Sequence, residues 1–414
     1  MKKSNEIFNK FLLIYIILNL FYILIGSYLV TEKYISIKIF SYGYIPLLTV
    51  NLIIILILLL TKKYKNNKID IFLLLIIIFA IISTIFAYKP MKALYGEWMR
   101  YEGFFTICYY ITILLLTSFL KKEYRKKVVY FILTLGFIEC IYAFFQKFNL
   151  FNVRTIIHSN NRWATGFCTN PNFFATLMLI CISYSIGLYI ESNGKLKTMG
   201  LLILIYVFGM GILFSNTLSC IIGLIFVLIV SLIYSIKNKY MKKYLILMLS
   251  LILTFILTQK MNLTSIGSDF IKTKSQITEL SKGNIDKYYG TGRFEIWSKT
   301  MKIVPKYLIH GVGIDNFANV LDGKAMIRKG YIIDKAHNEY LQILVTMGIF
   351  SLICYLCLHF IIIKNGIKET FKNHEIYYIL PVVGYIIQAQ FNISVIEVAP
   401  IFYISLGLLI YRDN

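Results

Sequence analysis

Runs of about 20 apolar residues recur along almost the whole chain, separated by polar links. A spanning helix needs about 20 such residues, because it rises about 1.5 Å per residue across about 30 Å of hydrocarbon. With 58% hydrophobic and 15% charged residues over 414 positions, the chain carries more apolar surface than one soluble core encloses. The sequence predicts an all-α polytopic membrane protein with about twelve transmembrane helices, at roughly 8–30, 42–61, 69–87, 103–120, 128–148, 171–190, 198–214, 217–236, 243–259, 337–363, 375–393 and 396–411.

The basic residues are distributed unevenly between the links on the two sides of these runs. With the amino terminus inside, the ends and links that would face the cytoplasm hold 22 Lys and Arg, whereas the short outer links hold 8. This asymmetry follows the positive-inside rule. The net charge of +23 therefore indicates orientation in a lipid membrane, and we expect no nucleic-acid partner.

One polar segment, residues 260–336, is far longer than every other link. Long polar connections in membrane proteins usually carry function, so we interpret it as a large extracytoplasmic loop between helices 9 and 10 that covers the active site. The chain then divides into helices 1–9 (1–259), the loop (260–336) and helices 10–12 (337–414), within one membrane domain.

Inside this loop, apolar residues recur at helical spacing. The pattern predicts an amphipathic helix lying on the membrane surface, with Glu295 and Lys299 paired one turn apart. The apolar stripe would be Phe294, Trp297, Met301 and Val304, with Arg293, Lys299 and Lys302 turned to water.

Several polar groups are predicted to emerge on the same outer side. Arg100 lies in a link rich in aromatic residues, which is typical either of an interfacial anchor or of a head-group site. Asn170 before Pro171 predicts a capped helix start, whose N–H groups favour anions, and Arg162 precedes it. A polar cavity that opens outward would explain this arrangement.

A carboxylate inside a predicted span and a pair of cysteines are two further groups with chemical potential. Glu139 falls near the middle of the fifth predicted helix, where a carboxylate costs about 2.5–3.5 kcal/mol and needs a partner that the sequence does not identify. Cys354 and Cys357 lie within a predicted span and lack further Cys or His ligands, so we predict no metal site and no cofactor.

Three short motifs stand out by their order and spacing. The first motif, within residues 162–175, has the core Gly-Phe-x-x-Asn-Pro-Asn. The second has Arg293-x-x-x-Trp297, followed by His-Gly-Val-Gly at 310–313. The third is Ala-His-Asn-x-Tyr-Leu at 336–341, followed by Gly348. In these motifs the chain resembles the O-antigen ligase and O-antigen polymerase superfamily, integral membrane enzymes that move glycans from a polyprenyl diphosphate carrier.

The resemblance implies a metal-independent, inverting glycosyl transfer at the outer face of a bacterial cytoplasmic membrane. It implies that His337 and Arg293 are catalytic, and that a further arginine belongs in the turn where this chain has Leu218. If a second cation is needed, the best-placed replacement is Arg162, because it precedes the helix start at Asn170 and Pro171; Arg100 is the alternative, and the donor could also be held differently. Candidate substrate-binding residues are Arg162, Arg100, Asn170, Asn172 and Asn338.

The chemistry of these residue types is compatible with that transfer. Displacing a diphosphate from an anomeric carbon requires removal of the acceptor hydroxyl's proton and stabilisation of the leaving group's charge. A histidine suits the first task and an arginine fork the second. A helix start would disfavour the cationic form of His337. A lone interfacial histidine is also a common polar anchor, and we keep that interpretation for His158, His310, His359 and His374.

Two alternatives remain open from sequence. A ligase and a polymerase would use the same lipid-linked donor and differ in the acceptor, which is another glycan or a lipid or cell-wall anchor. A flippase or other transporter of the same pathway is the alternative from another class. Transporters favour internal repeats with broken helices, whereas this chain has one asymmetric loop and only 6 prolines.

The charge pattern yields a test of orientation. A reporter enzyme that is active only outside the cytoplasm, fused within residues 272–288, is expected to be active, because residues 260–336 are predicted to be translocated. Activity of a cytoplasm-dependent reporter at the same position would contradict this orientation.

Overall fold

The computed structural model describes residues 2–61, 64, 67–97, 100–158, 161–282, 289–320, 327–328, 331–410 and 412. These residues form a helical protein with two short antiparallel hairpins. The hairpins are β1 (Ile156–His158) with β2 (Asn161–Trp163), and β3 (Ile327–Arg328) with β4 (Tyr331–Ile332). The helices are α1 (Lys2–Thr31), α2 (Ile37–Tyr42), α3 (Tyr44–Leu60), α4 (Lys68–Ile85), α5 (Pro90–Tyr95), α6 (Phe104–Ser118), α7 (Lys122–Phe148), α8 (Pro171–Ile190), α9 (Lys195–Ser215), α10 (Leu218–Lys237), α11 (Met241–Lys260), α12 (Ile266–Ser281), α13 (Arg293–Ile303), α14 (Phe317–Val320), α15 (Glu339–Met347), α16 (Ile349–Asn373), α17 (Leu380–Gln388) and α18 (Ala399–Leu409).

Nine helical segments among the described residues are long and apolar enough to cross a membrane. They correspond to nine of the twelve predicted spans. The other three predicted spans contain shorter apolar helical segments, at Phe104–Ser118, Ile376–Phe391 and Ala399–Leu409. The structure therefore supports a multi-pass membrane protein, and the count of twelve stays a prediction.

Helix α8 is the centre of the bundle. Its residues are buried along almost its whole length, because α7, α9, α10 and α17 pack around it. A helix that is apolar all round belongs in such a position, whereas the helices around it expose apolar faces where lipid would lie. The observed Pro171–Ile190 has the bounds that the sequence predicts, with Asn170 as the N-cap.

The predicted tenth span, 337–363, is wrong at its start. Gly348 has φ 85° and ψ 174°, so it breaks the segment into the short helix α15 and the longer helix α16. The spanning helix is Ile349–Asn373. His337 therefore does not open the spanning helix; it precedes a separate short helix.

The segment between α11 and α15 is folded where the structure describes it. Helix α13 contributes Ile296 and Val304 to an apolar cluster that also contains Val312, Phe317, Ala336 and Val345. The prediction that α13 lies on the membrane surface is wrong, because its buried face packs against other parts of the protein. The predicted pair Glu295 and Lys299 is present at 2.7 Å. Exposed apolar side chains lie on α12, at Phe270, Ile271 and Ile277, and on α13 at Met301, which was predicted to belong to the apolar stripe.

The two glycines of the His-Gly-Val-Gly motif are required by close backbone packing. Gly311 and Gly313 have positive φ values of 73° and 100°. A Cβ on Gly311 would lie 2.1 Å from the carbonyl oxygen of Thr346, and one on Gly313 would lie 2.3 Å from Cβ of Ala87. The motif thus lets the chain pass between the ends of α4 and α15.

The break at Gly348 gives a stability prediction. Gly348→Ala is expected to lower stability by at least roughly 1–3 kcal/mol, because the left-handed backbone is strained for alanine and its Cβ would lie 2.2 Å from the carbonyl oxygen of Ile309. The measurement is the unfolding temperature of the purified protein in detergent. As a control, Gly200→Ala on α9 has no atom within 4 Å of the added carbon and should be neutral or slightly stabilising. Equal unfolding temperatures for the two variants would contradict this account.

Candidate active site

The backbone before α15 is held in place on two sides. The carbonyl oxygen of Ala336 accepts a hydrogen bond from Nε1 of Trp297 at 3.0 Å. The N–H of Ala336 donates to Oε1 of Gln342 at 2.8 Å. The motif tryptophan and a glutamine on α15 therefore fix the residue that precedes His337.

His337 lies at this junction in an unusual conformation. Its φ is 52°, in the left-handed region, and Asn338 then caps α15 by accepting a hydrogen bond from the N–H of Leu341 at 3.0 Å. Burial is the main reason that the pKa of His337 is lowered to about 4; the positive charges of Arg293 and Arg100 contribute to this lowering, while Asp334 opposes it. The imidazole is therefore neutral near pH 7. The sequence predicts that the cationic form of His337 is disfavoured because of the helix start. The pKa is lowered as predicted, but burial is the largest cause.

Arg293 begins α13 and is turned inward. Its Nη1 donates to the carbonyl oxygen of Gly290 at 3.4 Å, and burial lowers the pKa of its guanidinium. Trp297, about one turn along the same helix, donates to the carbonyl of Ala336, so α13 brings Arg293 to the segment that carries His337. The prediction that Arg293 points to water is wrong, since Nε of its guanidinium is buried and burial lowers its pKa.

Arg100 also belongs to this cluster. Its Nε lies 3.0 Å from Oδ2 of Asp334, three residues before His337. The guanidinium carbon of Arg100 lies 5.2 Å above the ring of Phe173, in the first turn of α8. Trp98, from the same aromatic link, lies outside the described residues. Arg100 therefore connects the histidine to the start of the central helix.

The polar groups at the start of α8 are mostly engaged within the protein. Oδ1 of Asn170 accepts from the N–H of Asn172, and its carbonyl accepts from Phe173 and Phe174. Oδ1 of Asn172 accepts from the hydroxyl of Thr217 at 3.2 Å. The sequence predicts that these N–H groups bind an anion. They donate instead to the oxygens of Asn170. The contact through Thr217 places Asn172 beside the turn that contains Leu218.

Arg162 is positioned differently from Arg100. It lies on strand β2, and its carbonyl oxygen accepts a hydrogen bond from Nζ of Lys147 at 2.8 Å. Among the described contacts, none links its guanidinium to His337 or Arg293. Of the two predicted replacements for the cation missing at Leu218, the structure brings Arg100 to the histidine.

The loop before α8 supplies the partner that the sequence left unknown for Glu139, which lies on α7. Oε2 of Glu139 accepts a hydrogen bond from the N–H of Phe167 at 2.6 Å. One end of α7 adds Gln146, whose Oε1 accepts from the N–H groups of Thr165 and Gly166 at 2.8 and 2.9 Å. These buried side chains fix the loop that leads into α8.

A buried charge cluster beside His337 was not predicted. Nζ of Lys335 lies 3.3 Å from Oε2 of Glu102 and 3.2 Å from Oδ1 of Asp315, and the three side chains are 4%, 8% and 4% exposed. Burial opposes the charge of Lys335, but Asp315 and Glu102 raise its pKa above the ordinary value. Burial raises the pKa of Asp315 to about 6, and Lys335 opposes this shift.

A second buried carboxylate follows the histidine. Glu339 accepts hydrogen bonds from the hydroxyls of Tyr355 and, at 3.0 Å, Tyr385. It shares a cavity of about 70 Å³ with Glu102 and Lys335. Its position directly after the His-Asn motif was the one sequence signal that could have drawn attention to it.

The described part of the chain contains no group of three or more His, Cys, Asp or Glu side chains arranged to hold a metal ion. Among the described residues, the charged groups that shift the pKa of His337 are the guanidiniums of Arg293 and Arg100 and the carboxylate of Asp334.

These features define a polytopic membrane protein with a partly buried histidine–arginine site. Residues 200–356 match the family model described as O-antigen ligase. Over this region, which is less than half of the chain, the protein is similar to that family, and the match together with the apolar helices supports a membrane role in polysaccharide biosynthesis. The matched region contains Arg293 and His337, whereas Arg100, Arg162, Asn170 and Asn172 lie before it. No curated protein matches the chain.

The electrostatics of His337 give a direct test by NMR of labelled histidine in the purified protein. We expect a pKa near 4, so that His337 stays neutral between pH 8 and about 5. Since the unfolded chain binds this proton near pH 6.5, stability should fall as the pH drops from 6.5 towards 4. Arg293→Gln should raise the pKa by removing a nearby positive charge. Titration of His337 near 6.5 in the folded protein would contradict the site as described.

Proposed function

We propose that the protein is a membrane glycosyltransferase that moves a glycan from a polyprenyl diphosphate carrier to an acceptor. The family match supports ligase or polymerase chemistry in general. The observation that carries the specific proposal is that two arginines reach the segment that holds a neutral His337. Arg100 contacts it through Asp334, and the helix that begins with Arg293 contacts it through Trp297. Two arginines suit a diphosphate, and a neutral imidazole can accept a proton.

In the proposed reaction, the acceptor hydroxyl loses its proton to the imidazole of His337. The acceptor oxygen then forms a bond to the anomeric carbon, from the face opposite the diphosphate. The bond between that carbon and the diphosphate oxygen breaks, and the arginines hold the charge that stays on the leaving group. Attack from the opposite face inverts the anomeric centre, and the proposed chemistry is metal-independent.

The arginines also connect donor binding to the strength of the base. In the structure, the charges of Arg293 and Arg100 lower the pKa of His337. A bound diphosphate would neutralise those charges and raise the pKa towards its ordinary value, because an adjacent anion favours the imidazolium form. On this proposal His337 becomes a more effective base only when the donor is in place.

We further propose that this site faces outward from the cytoplasmic membrane of a bacterium. The distribution of basic residues between the links supports this orientation. The partners would be a lipid-linked glycan donor, a glycan or a lipid or cell-wall acceptor, and the surrounding membrane lipids. Ligase and polymerase activity both fit this site.

A transporter of the lipid-linked glycan is the second candidate. The break between α15 and α16 at Gly348 favours it, since interrupted helices are typical of transporter binding sites. Purified protein in detergent separates the two candidates, because transport requires two aqueous compartments and transfer does not. Formation of the glycan–acceptor product in micelles would support the transferase.

The same transfer assay tests the residues. Arg293→Ala and Arg293→Lys should each reduce turnover at least tenfold, because a point charge does not replace a bidentate fork. Arg100→Ala should have a comparable effect. Arg162→Ala should change the rate by less than tenfold, since its guanidinium has no described contact with the cluster.

The controls separate loss of function from loss of fold. Lys302→Ala removes an exposed cation from the same helix as Arg293 and should leave transfer unchanged. All variants should keep the unfolding temperature within a few degrees of the original protein. Near-normal transfer by Arg293→Lys would contradict the fork, and a severe loss in Arg162→Ala with normal transfer in Arg100→Ala would reverse their assignment.

A further inference from the structure

Asp334 forms an ion pair with Arg100, which is one of the two arginines proposed to bind the donor. Nε of Arg100 and Oδ2 of Asp334 are 3.0 Å apart, and the two side chains keep 14% and 17% of their surface exposed. Asp334 also lines a polar pocket of about 450 Å³, together with Lys89, Lys92 and Asn319. An anion from outside can therefore reach this pair.

The backbone around Asp334 does not depend on this pair. The next residue, Lys335, is held by Glu102 and Asp315 with almost no exposure. Ala336 is held by its hydrogen bonds to Trp297 and Gln342. The segment that carries His337 is thus fixed by neighbours of Asp334, and the Asp334 carboxylate can leave Arg100 without releasing the segment.

Electrostatics explain why an arginine at this position needs an anion. Arg100 and Arg293 both act on His337, and two cations with a partly buried histidine are costly without a counter-charge. Asp334 supplies one negative charge. A diphosphate carries more charge and more acceptor oxygens than one carboxylate, so it forms the stronger complex with a guanidinium.

We propose that Asp334 is an internal substitute for a phosphate group on Arg100, which the diphosphate of the donor displaces. This inference rests on the proposed function. The displaced carboxylate turns into the pocket, where the ammonium groups of Lys89 and Lys92 line the wall. Asp334 is a positioning residue in this scheme: it keeps Arg100 in place and neutralised until the donor arrives.

The test uses inorganic pyrophosphate as the probe and the purified full-length protein, with binding measured by calorimetry. Asp334→Asn removes the competing charge and should tighten pyrophosphate binding about tenfold, which is the effect of one moderate ionic interaction. In a transfer assay the same variant should bind the donor more tightly, seen as a lower KM for the donor. Loss of a merely structural contact would not tighten either affinity.

Matched variants make this result specific. Glu97→Gln removes another carboxylate of the same pocket, which pairs with Lys92 and not with Arg100, so it should leave pyrophosphate affinity within twofold. Asp334→Asn should have no effect when Arg100 is already alanine. Asp334→Glu keeps the negative charge and should bind pyrophosphate as the original protein does. If Asp334→Asn does not fold, Asp334→Glu is compared with the double variant that also carries Arg100→Ala.

The outcomes distinguish this inference from the proposed function. Pyrophosphate binding that requires Arg293 but is unchanged or weakened in Asp334→Asn would overturn the inference and leave the function standing. If the asparagine variant does not fold, equal pyrophosphate affinity in Asp334→Glu and in Asp334→Glu with Arg100→Ala would overturn the inference. No pyrophosphate binding by the folded original protein would overturn both.

Discussion

The buried ammonium group of Lys335 is the constraint on which the site depends. A charge with so little exposure must be compensated, and removing a partner from such a cluster typically costs about 3–5 kcal/mol. Its partners come from distant parts of the chain: Glu102 from the link before α6 and Asp315 from the turn after Gly313. Pairing them with Lys335 places three separate segments together, two residues from His337.

The burial that makes this cluster necessary also sets the chemistry of its neighbours. Burial also keeps His337 neutral near pH 7, because it lowers the pKa of the imidazole. The positive charges of Arg293 and Arg100 act in the same direction on this pKa. The glycines at 311, 313 and 348 permit the close backbone approaches that bring these groups together. Rigidity here comes from packed backbone and paired charge, which suits the proposed reaction, in which an acceptor hydroxyl and a diphosphate have to be placed accurately.

The parts that could be predicted are those with a local signal. Helix α8 has the bounds that its apolar run and Asn170 cap indicate, and the motifs around Arg293 and His337 lie within the region that matches the O-antigen ligase family model. The parts that could not be predicted depend on distant contacts. Lys335 lies 233 residues from Glu102, and nothing in either local sequence indicates the pair. The break at Gly348 was hidden because apolar residues continue on both sides of it.

The central claim is that Arg293 and Arg100 hold the diphosphate of a lipid-linked donor beside His337. An experimental structure of the protein with a bound polyprenyl diphosphate tests it most directly. The account predicts phosphate oxygens within about 3 Å of both guanidiniums, with Asp334 moved away from Arg100. A diphosphate bound elsewhere, with neither arginine in contact, would contradict it.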